Sequence, residues 1–415
     1  MRVLMVAWGS RGDVQPYLAL GRGLARAGYR VTVAAASDFE PLVRAAELGY
    51  APFDISLDAS QDPAIRRWLT GSDQPWRELA NMRAAVERFA PVFADGLVAA
   101  LGEADALVCG LLAVPALQPW ARREGRPLVA AVLQPGVPTR RGASLLHPAR
   151  PRATSALNLA AGWVQLLAMN RTLAPAVRAV HRRLDLPAGG ARDRVRAVTR
   201  TPTVLGASPL VVPPAPDWPA QLAVTGYWVQ PVPVGYRPPP LLADFLTAGP
   251  APLYLGFGSM PLVDPDAMRD LVARALPGRR LVLGGGLHAG PDEVAVLGDG
   301  TVSVAAVPHE WLFPRTAGVV CHGGAGTTAA ALRAGVPVAV VAHMGDQPYW
   351  GRRVHELGLG PAPVPLSELT AERLAGLVAR FADPGLLAHT TRFALRLREE
   401  RGVEEAVARI REVFG

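Results

Sequence analysis

Residues 2–8, "RVLMVAW", are apolar on both faces, the pattern of a strand buried under helices on either side. A polar loop, "GSRGDVQP" at 9–16, follows, and helical periodicity then runs over 14–27. The alternation continues with strand 29–36, helix 38–48, strand 106–110, a helix near 117–124 and strand 127–133. Strands separated by helices predict right-handed βαβ units and a parallel sheet. Residues 155–184 carry apolar side chains, Trp163 among them, at helical spacing and read as two helices packed on the domain core; a partly exposed apolar face there would admit a greasy substrate. Prolines crowd 211–240, stop helices and stiffen the chain, so the domain linker falls there. Beyond it come strand 252–257, helix 265–276, strands 280–283, 302–305 and 317–321, helix 325–334, strand 336–342 and a helix from 346. Two polar-faced helices, 384–399 and 403–414, end the chain. The expected fold is α/β: two Rossmann-like domains facing across a cleft, 1–212 and 241–385, joined by a linker at 213–240, with helices of 386–415 packing back on the N-terminal domain.

Composition narrows the function classes. Half of the 415 residues are hydrophobic and 19% are charged, a globular balance whose length suits two domains with separate cores. The formal net charge is +8, yet all 43 basic residues are arginine and none is lysine. With 42 glycines and 40 prolines, that skew fits a GC-rich coding sequence better than selection for phosphate contacts, and no nucleic-acid partner is expected. The charge is uneven, however: 140–200 holds 12 arginines against Asp185 and Asp193, which leaves a membrane-surface or anionic-partner face open. The apolar run after Met1-Arg2 is too short for a secretory signal, and no run reaches the ~18 residues of a membrane span. Cys109 and Cys321 lie near the ends of two strands far apart in sequence, so neither a disulfide framework nor a metal pair is indicated. We expect a cytoplasmic protein.

Two loops carry the candidate chemistry. The first contains Arg11-Gly12-Asp13 and leaves the carboxyl end of a buried strand, the side where open α/β sheets bind ligands, which sets an adhesion role aside. Asp13 then either caps the helix or works on a substrate. The second is "CHGGAGTTAA" at 321–330, where glycines let backbone N–H groups approach an anion and a helix N-terminus adds partial positive charge, as a diphosphate requires. His322 and the Thr327 hydroxyl add hydrogen-bonding groups, against the plainer reading of a glycine-rich turn with a capping histidine. Asp346-Gln347 opens the next helix and offers a carboxylate and an amide to sugar hydroxyls, or an ordinary N-cap. Ser259 ends a second small-residue turn, and Trp311 either flanks a nucleobase or packs under its loop, an ambiguity His309 shares. Asp264-Pro265-Asp266 spells Asp-x-Asp, but a capping Asp264 with Pro265 at the first helical position explains it, so no metal is expected. "LGGGLHAG" at 283–290 lacks the Gly-x-Gly-x-x-Gly of a nicotinamide-cofactor site.

Residues 9–20, "GFGSM" at 256–260, "VPHEWLFPR" at 307–315, "HGGAGTTAA" at 322–330 and "GDQPYWGRRV" at 345–354 resemble the sterol 3-β-glucosyltransferases and, more broadly, the family 1, GT-B fold glycosyltransferases that also glycosylate antibiotics. The similarity spans nearly the whole chain and is weakest over 52–200. It implies an inverting transfer from a nucleotide sugar, without cofactor or metal, to a hydrophobic acceptor. By position, Asp13 is the general base, and Ser10 and Arg11 line the donor cleft. Val307, His309, His322, Ala325, Gly326 and Thr327 touch the nucleotide diphosphate, and Asp346 and Gln347 hold the sugar. Two departures stand out: Ala330 replaces the ribose-binding glutamate of many UDP-sugar enzymes, and His343-Met344 replaces aromatics usual in the sterol branch. The leading expectation is glucose from UDP-glucose to a sterol or other polycycle. The alternatives are an antibiotic-pathway enzyme using a TDP-deoxysugar, a non-catalytic nucleotide-sugar or membrane-docking protein and, on the same fold, hydrolysis or epimerisation of a nucleotide sugar.

Overall fold

The structure, a computed structural model, describes residues 1–415 apart from 57–61, 70–73, 112, 142–153, 259–261, 291 and 299. The chain forms two compact units, described within Met1–Trp68, Gln74–Gln230 and Arg401–Gly415 for the first and Pro231–Glu400 for the second. The proline-rich stretch therefore divides between them at Gln230 and Pro231.

The first unit is built on a seven-stranded parallel sheet. Its strands are β1 (Arg2–Val6), β2 (Arg30–Ala36), β3 (Gly49–Phe53), β4 (Ala106–Cys109), β5 (Leu128–Val132), β6 (Thr203–Leu205) and β7 (Leu222–Val224). They lie in the order β3-β2-β1-β4-β5-β6-β7. The direction of winding reverses between β1 and β4, the kind of position at which open α/β sheets bind ligands. Met5, Val33, Val108 and Ala106 are fully buried, as double helical cover demands. Helix Gly402–Phe414 belongs to this unit, and Gly23 admits it: a Cβ there would sit 2.4 Å from Val403 Cγ1. Helix Pro384–Arg398 instead belongs to the second unit, so the closing helices separate rather than pack together on the first.

The second unit repeats the plan with β8 (Leu253–Gly256), β9 (Leu281–Gly284), β10 (Val294–Gly298), β11 (Thr301–Val304), β12 (Gly318–Cys321), β13 (Val338–Ala342) and β14 (Val364–Pro365). The order is β10-β11-β9-β8-β12-β13-β14, and the winding reverses between β8 and β12. All pairs are parallel except β10 with β11, an edge hairpin that the alternation of strands and helices did not announce.

Residues 155–184 form one helix, Ala156–Arg183, where two were expected. Pro175 lacks the N–H that would bond the Arg171 carbonyl and ordinarily breaks a helix. Here the Arg83 guanidinium, from the neighbouring helix Pro75–Leu101, donates to that carbonyl at 3.0 Å, and the helix continues. The rescue comes from a residue 88 positions away.

Candidate functional site

At the first switch point, β1 ends in a sharp turn at Gly9, whose φ is +133°. Ser10 is the N-cap of helix Arg11–Arg26, and Asp13 stands in its first turn. Asp13 is thus not the cap residue; it holds the cap. One oxygen, Oδ2, accepts from the Ser10 backbone N–H at 2.7 Å and from the Ser10 hydroxyl at 3.0 Å. Oδ1 has no protein hydrogen bond among the described residues. The carboxyl is half-buried, and removal from water raises its pKa above the ordinary value, against the two Ser10 bonds that pull it down. A Cβ on Gly9 would lie 2.3 Å from Asp13 Oδ2, so the left-handed glycine and the carboxylate require each other. Arg11 is exposed beside them.

Trp8, the residue before this turn, stands edge-on to Phe53 and Phe93, with ring centres 5.9 and 4.7 Å away. It walls an open pocket together with Phe89, Phe93, Ala116, Leu173 and Val177. Every lining side chain is apolar. The sequence offered no motif for this pocket, because its walls come from β1's loop and three helices distant along the chain.

At the second switch point, the loops after β8, β9 and β12 interlock. Gly258 has φ +63°, and a Cβ there would meet the His322 ring at 2.8 Å. A Cβ on Gly285 would strike the Gly258 carbonyl at 2.3 Å, and one on Gly323 the Gln347 carbonyl at 2.9 Å. Gly285, in a glycine run at 284–286 that matches no dinucleotide pattern, therefore lets the loops after β9 and β8 touch. Helix Ala325–Ala334 starts from Gly324 without a side-chain cap, so the first-turn N–H groups of Ala325, Gly326 and Thr327 carry the helix's partial positive charge uncovered. Burial foremost, then the neighbouring His343, push the His322 imidazole down to about 4, against the pull of the Gly256 carbonyl, so the ring is neutral near pH 7.

Gln347 is buried and its Oε1 accepts from the N–H groups of His343 at 2.7 Å and Met344 at 2.9 Å, fixing the loop that precedes its helix. Asp346 makes no side-chain cap; its Oδ2 instead accepts from Trp350 Nε1 at 2.6 Å. Val307 is half-buried just before helix His309–Leu312. His309 stacks on Phe313 with ring centres 4.4 Å apart, and Trp311 lies edge-on to Tyr236 at 5.7 Å under the Arg315 guanidinium. Glu310 ties this segment to helix Ala325–Ala334 through Arg333 at 3.6 Å, a link the sequence did not signal. Ser259 lies outside the described residues. Asp264 caps helix Pro265–Ala275 by accepting from Ala267 N–H at 2.9 Å, and Asp266 pairs with Arg269. Ser10, Arg11 and Asp13 thus belong to the first unit and the other candidates to the second.

Residues 3–115 match the N-terminal domain of glycosyltransferase family 28, and residues 287–410 match the C-terminal domain of proteins like the erythromycin biosynthesis protein CIII. Over 98% of its length the chain is 30% identical to the sterol 3-beta-glucosyltransferase UGT80B1 of Arabidopsis thaliana, spanning 67% of that protein. It is 34% identical over 99% of its length to the O-mycaminosyltylonolide 6-deoxyallosyltransferase of Streptomyces fradiae, spanning 97% of it. In fold it is similar to the glycosyltransferase of kitacinnamycin, with a TM-score of 0.70 at 20% identity over 100% of this chain and 99% of that one. Two doubly wound sheets of this kind define the GT-B class of glycosyltransferases. The chain belongs to this class, in the family that joins a family 28 N-terminal domain to an erythromycin-CIII-like C-terminal domain, with sterol and antibiotic glycosyltransferases both among its relatives. Among the described residues no helix is long and apolar enough to cross a membrane.

Proposed function

We propose that the protein is an inverting glycosyltransferase that moves a hexosyl group, glucose from UDP-glucose in the leading reading, to a hydroxyl of a large apolar polycyclic acceptor of the sterol kind. The observation that carries this reading is the pairing, on one loop, of a carboxylate with a free oxygen and a pocket with a wholly apolar lining. An acceptor whose ring system fills the pocket would leave a hydroxyl for Asp13. As that oxygen bonds to the anomeric carbon, its proton passes to Asp13 Oδ1 and the bond from the anomeric carbon to the diphosphate breaks. The charge growing on the leaving diphosphate is met by the first-turn N–H groups of Ala325, Gly326 and Thr327 and by the Thr327 hydroxyl, dipoles already aimed before the reaction. Val307, His309 and Trp311 would flank the nucleotide, Ser10, Arg11 and Ser259 the donor, and Asp346 and Gln347 the sugar.

A second reading, a TDP-deoxysugar moved to a macrolide-like acceptor, is favoured by the chain's 34% identity to the macrolide enzyme against 30% to the plant sterol enzyme. Ala330, buried in the helix at 7% exposure, also offers no carboxylate to a ribose. Incubation with UDP-glucose and TDP-glucose against sterols, flavonoids and macrolides, read by mass spectrometry, separates the two. A glucosylated sterol from UDP-glucose supports the first, product only from TDP-sugars and macrolides the second. Undetectable transfer with intact donor binding would support a non-catalytic binder.

A further inference from the structure

Helix Ala156–Arg183 carries two exposed groups on one side, apolar in its first half and cationic in its second, with Ala174 and Pro175 buried between Arg171 and Arg178. In its first half Leu157, Trp163, Val164 and Leu167 stand 80%, 38%, 68% and 47% exposed, spaced so that they share a face. Farther along the same side stand Arg171, Arg178 and Arg182, all exposed. The opposite face, with Leu166, Leu173, Val177 and Val180, is buried in the first unit. No aspartate or glutamate occurs anywhere in the helix. Arg183 lies apart from these groups and pairs with Asp95 at 2.6 Å. Nearby Arg194 adds a further cation, while Asp193 is engaged with the Gly190 N–H at 2.8 Å.

We propose that the exposed side of helix Ala156–Arg183 docks the protein on an anionic lipid surface. Leu157, Val164 and Leu167 would enter the boundary between headgroups and acyl chains, Trp163 would sit at headgroup level, and the three arginines would meet lipid phosphates. Charge complementarity favours lipid over another occupant: an exposed apolar patch with exposed cations farther along the same side of the helix and no acidic residue in it matches a plane that is apolar beneath and anionic above. The proposal stands apart from the transfer chemistry and does not depend on the sugar or the acceptor.

Co-sedimentation of the full chain with phosphatidylcholine vesicles, with and without phosphatidylglycerol, tests it. Retention by the anionic vesicles at low salt, released as salt rises, is expected. The Arg171→Gln, Arg178→Gln, Arg182→Gln triple variant should lose about 100-fold in partition. The Val164→Glu, Leu167→Glu variant should lose at least about tenfold. All five positions are exposed, so both variants should keep the wild-type melting temperature and UDP affinity. Absence of retention, or equal retention of wild type and both variants, overturns the proposal. A wild-type dimer that ignores vesicles and that Val164→Glu, Leu167→Glu dissociates would assign that side of the helix to a second copy, and equally overturns the proposal.

Discussion

Asp13 accepts both of its hydrogen bonds from Ser10, at 2.7 and 3.0 Å, on a single oxygen. Capping and base chemistry need not compete on such a carboxylate: Oδ2 fastens the start of the helix while Oδ1 stays available for a proton.

Asp13→Asn tests this division of labour. The amide carbonyl can take over Oδ2's two bonds, so the fold should lose no more than about 1 kcal/mol. Transfer should slow by about 10²–10⁴-fold because no base remains. Turnover and melting temperature measured on one preparation decide it, and near-normal transfer would remove Asp13 from the mechanism.

Gly9→Ala attacks the same carboxylate from outside. The new methyl would overlap Asp13 Oδ2, and φ +133° is strained for any side chain, at about 1–3 kcal/mol. We expect transfer to fall by at least about tenfold with UDP binding unchanged. Wild-type kcat in a stably folded variant would show that the turn tolerates the displacement and that the carboxylate's position is not critical.

His322 is a neutral imidazole, its pKa lowered to about 4 in the folded protein. Between pH 6.5 and 4 the unfolded chain binds a proton that the folded chain refuses, so stability is complete above pH 6.5 and declines as pH falls through this window. The contribution is at most about 3 kcal/mol. Melting curves from pH 7 to about 4.5 should slope less steeply in His322→Asn than in wild type. For UDP-glucose binding, a neutral hydrogen bond predicts about a tenfold loss in His322→Ala and no pH dependence between about 6 and 8. Calorimetry showing unchanged affinity would withdraw the histidine from the donor site.

Asp264 and Asp266 are engaged as a helix cap and an ion pair, and the diphosphate's charge is assigned to helix N–H groups. Transfer should therefore survive excess EDTA. A strict need for added Mg²⁺ or Mn²⁺, abolished in Asp266→Ala, would reverse this expectation.

Ala176 lines the apolar pocket and is half-buried. Ala176→Phe should fill the space, raise the KM for a polycyclic acceptor by about tenfold and leave UDP binding alone. Acceptor kinetics unaffected by that ring would place the acceptor elsewhere.

Elements with local causes could be read directly along the chain. Apolar runs such as 2–8 and 317–321 need cover on both faces whatever packs on them, and Gly324 followed by Ala-Gly-Thr can start a helix without a partner; strands β1 and β12 and helix Ala325–Ala334 follow. Features that depend on distant residues emerged with the packed fold. Helix Ala156–Arg183 runs through Pro175 because Arg83 reaches the orphaned carbonyl. Asp346 holds Trp350 rather than capping, and Gly285 is the point where its loop meets Gly258. The apolar pocket beside Trp8 exists only once a strand's loop and three helices far apart in sequence are stacked, and which side of helix Ala156–Arg183 stays exposed is fixed the same way. Periodicity records that a side chain is apolar, whereas its being sheltered, shared or left open is fixed by neighbours the local pattern does not contain.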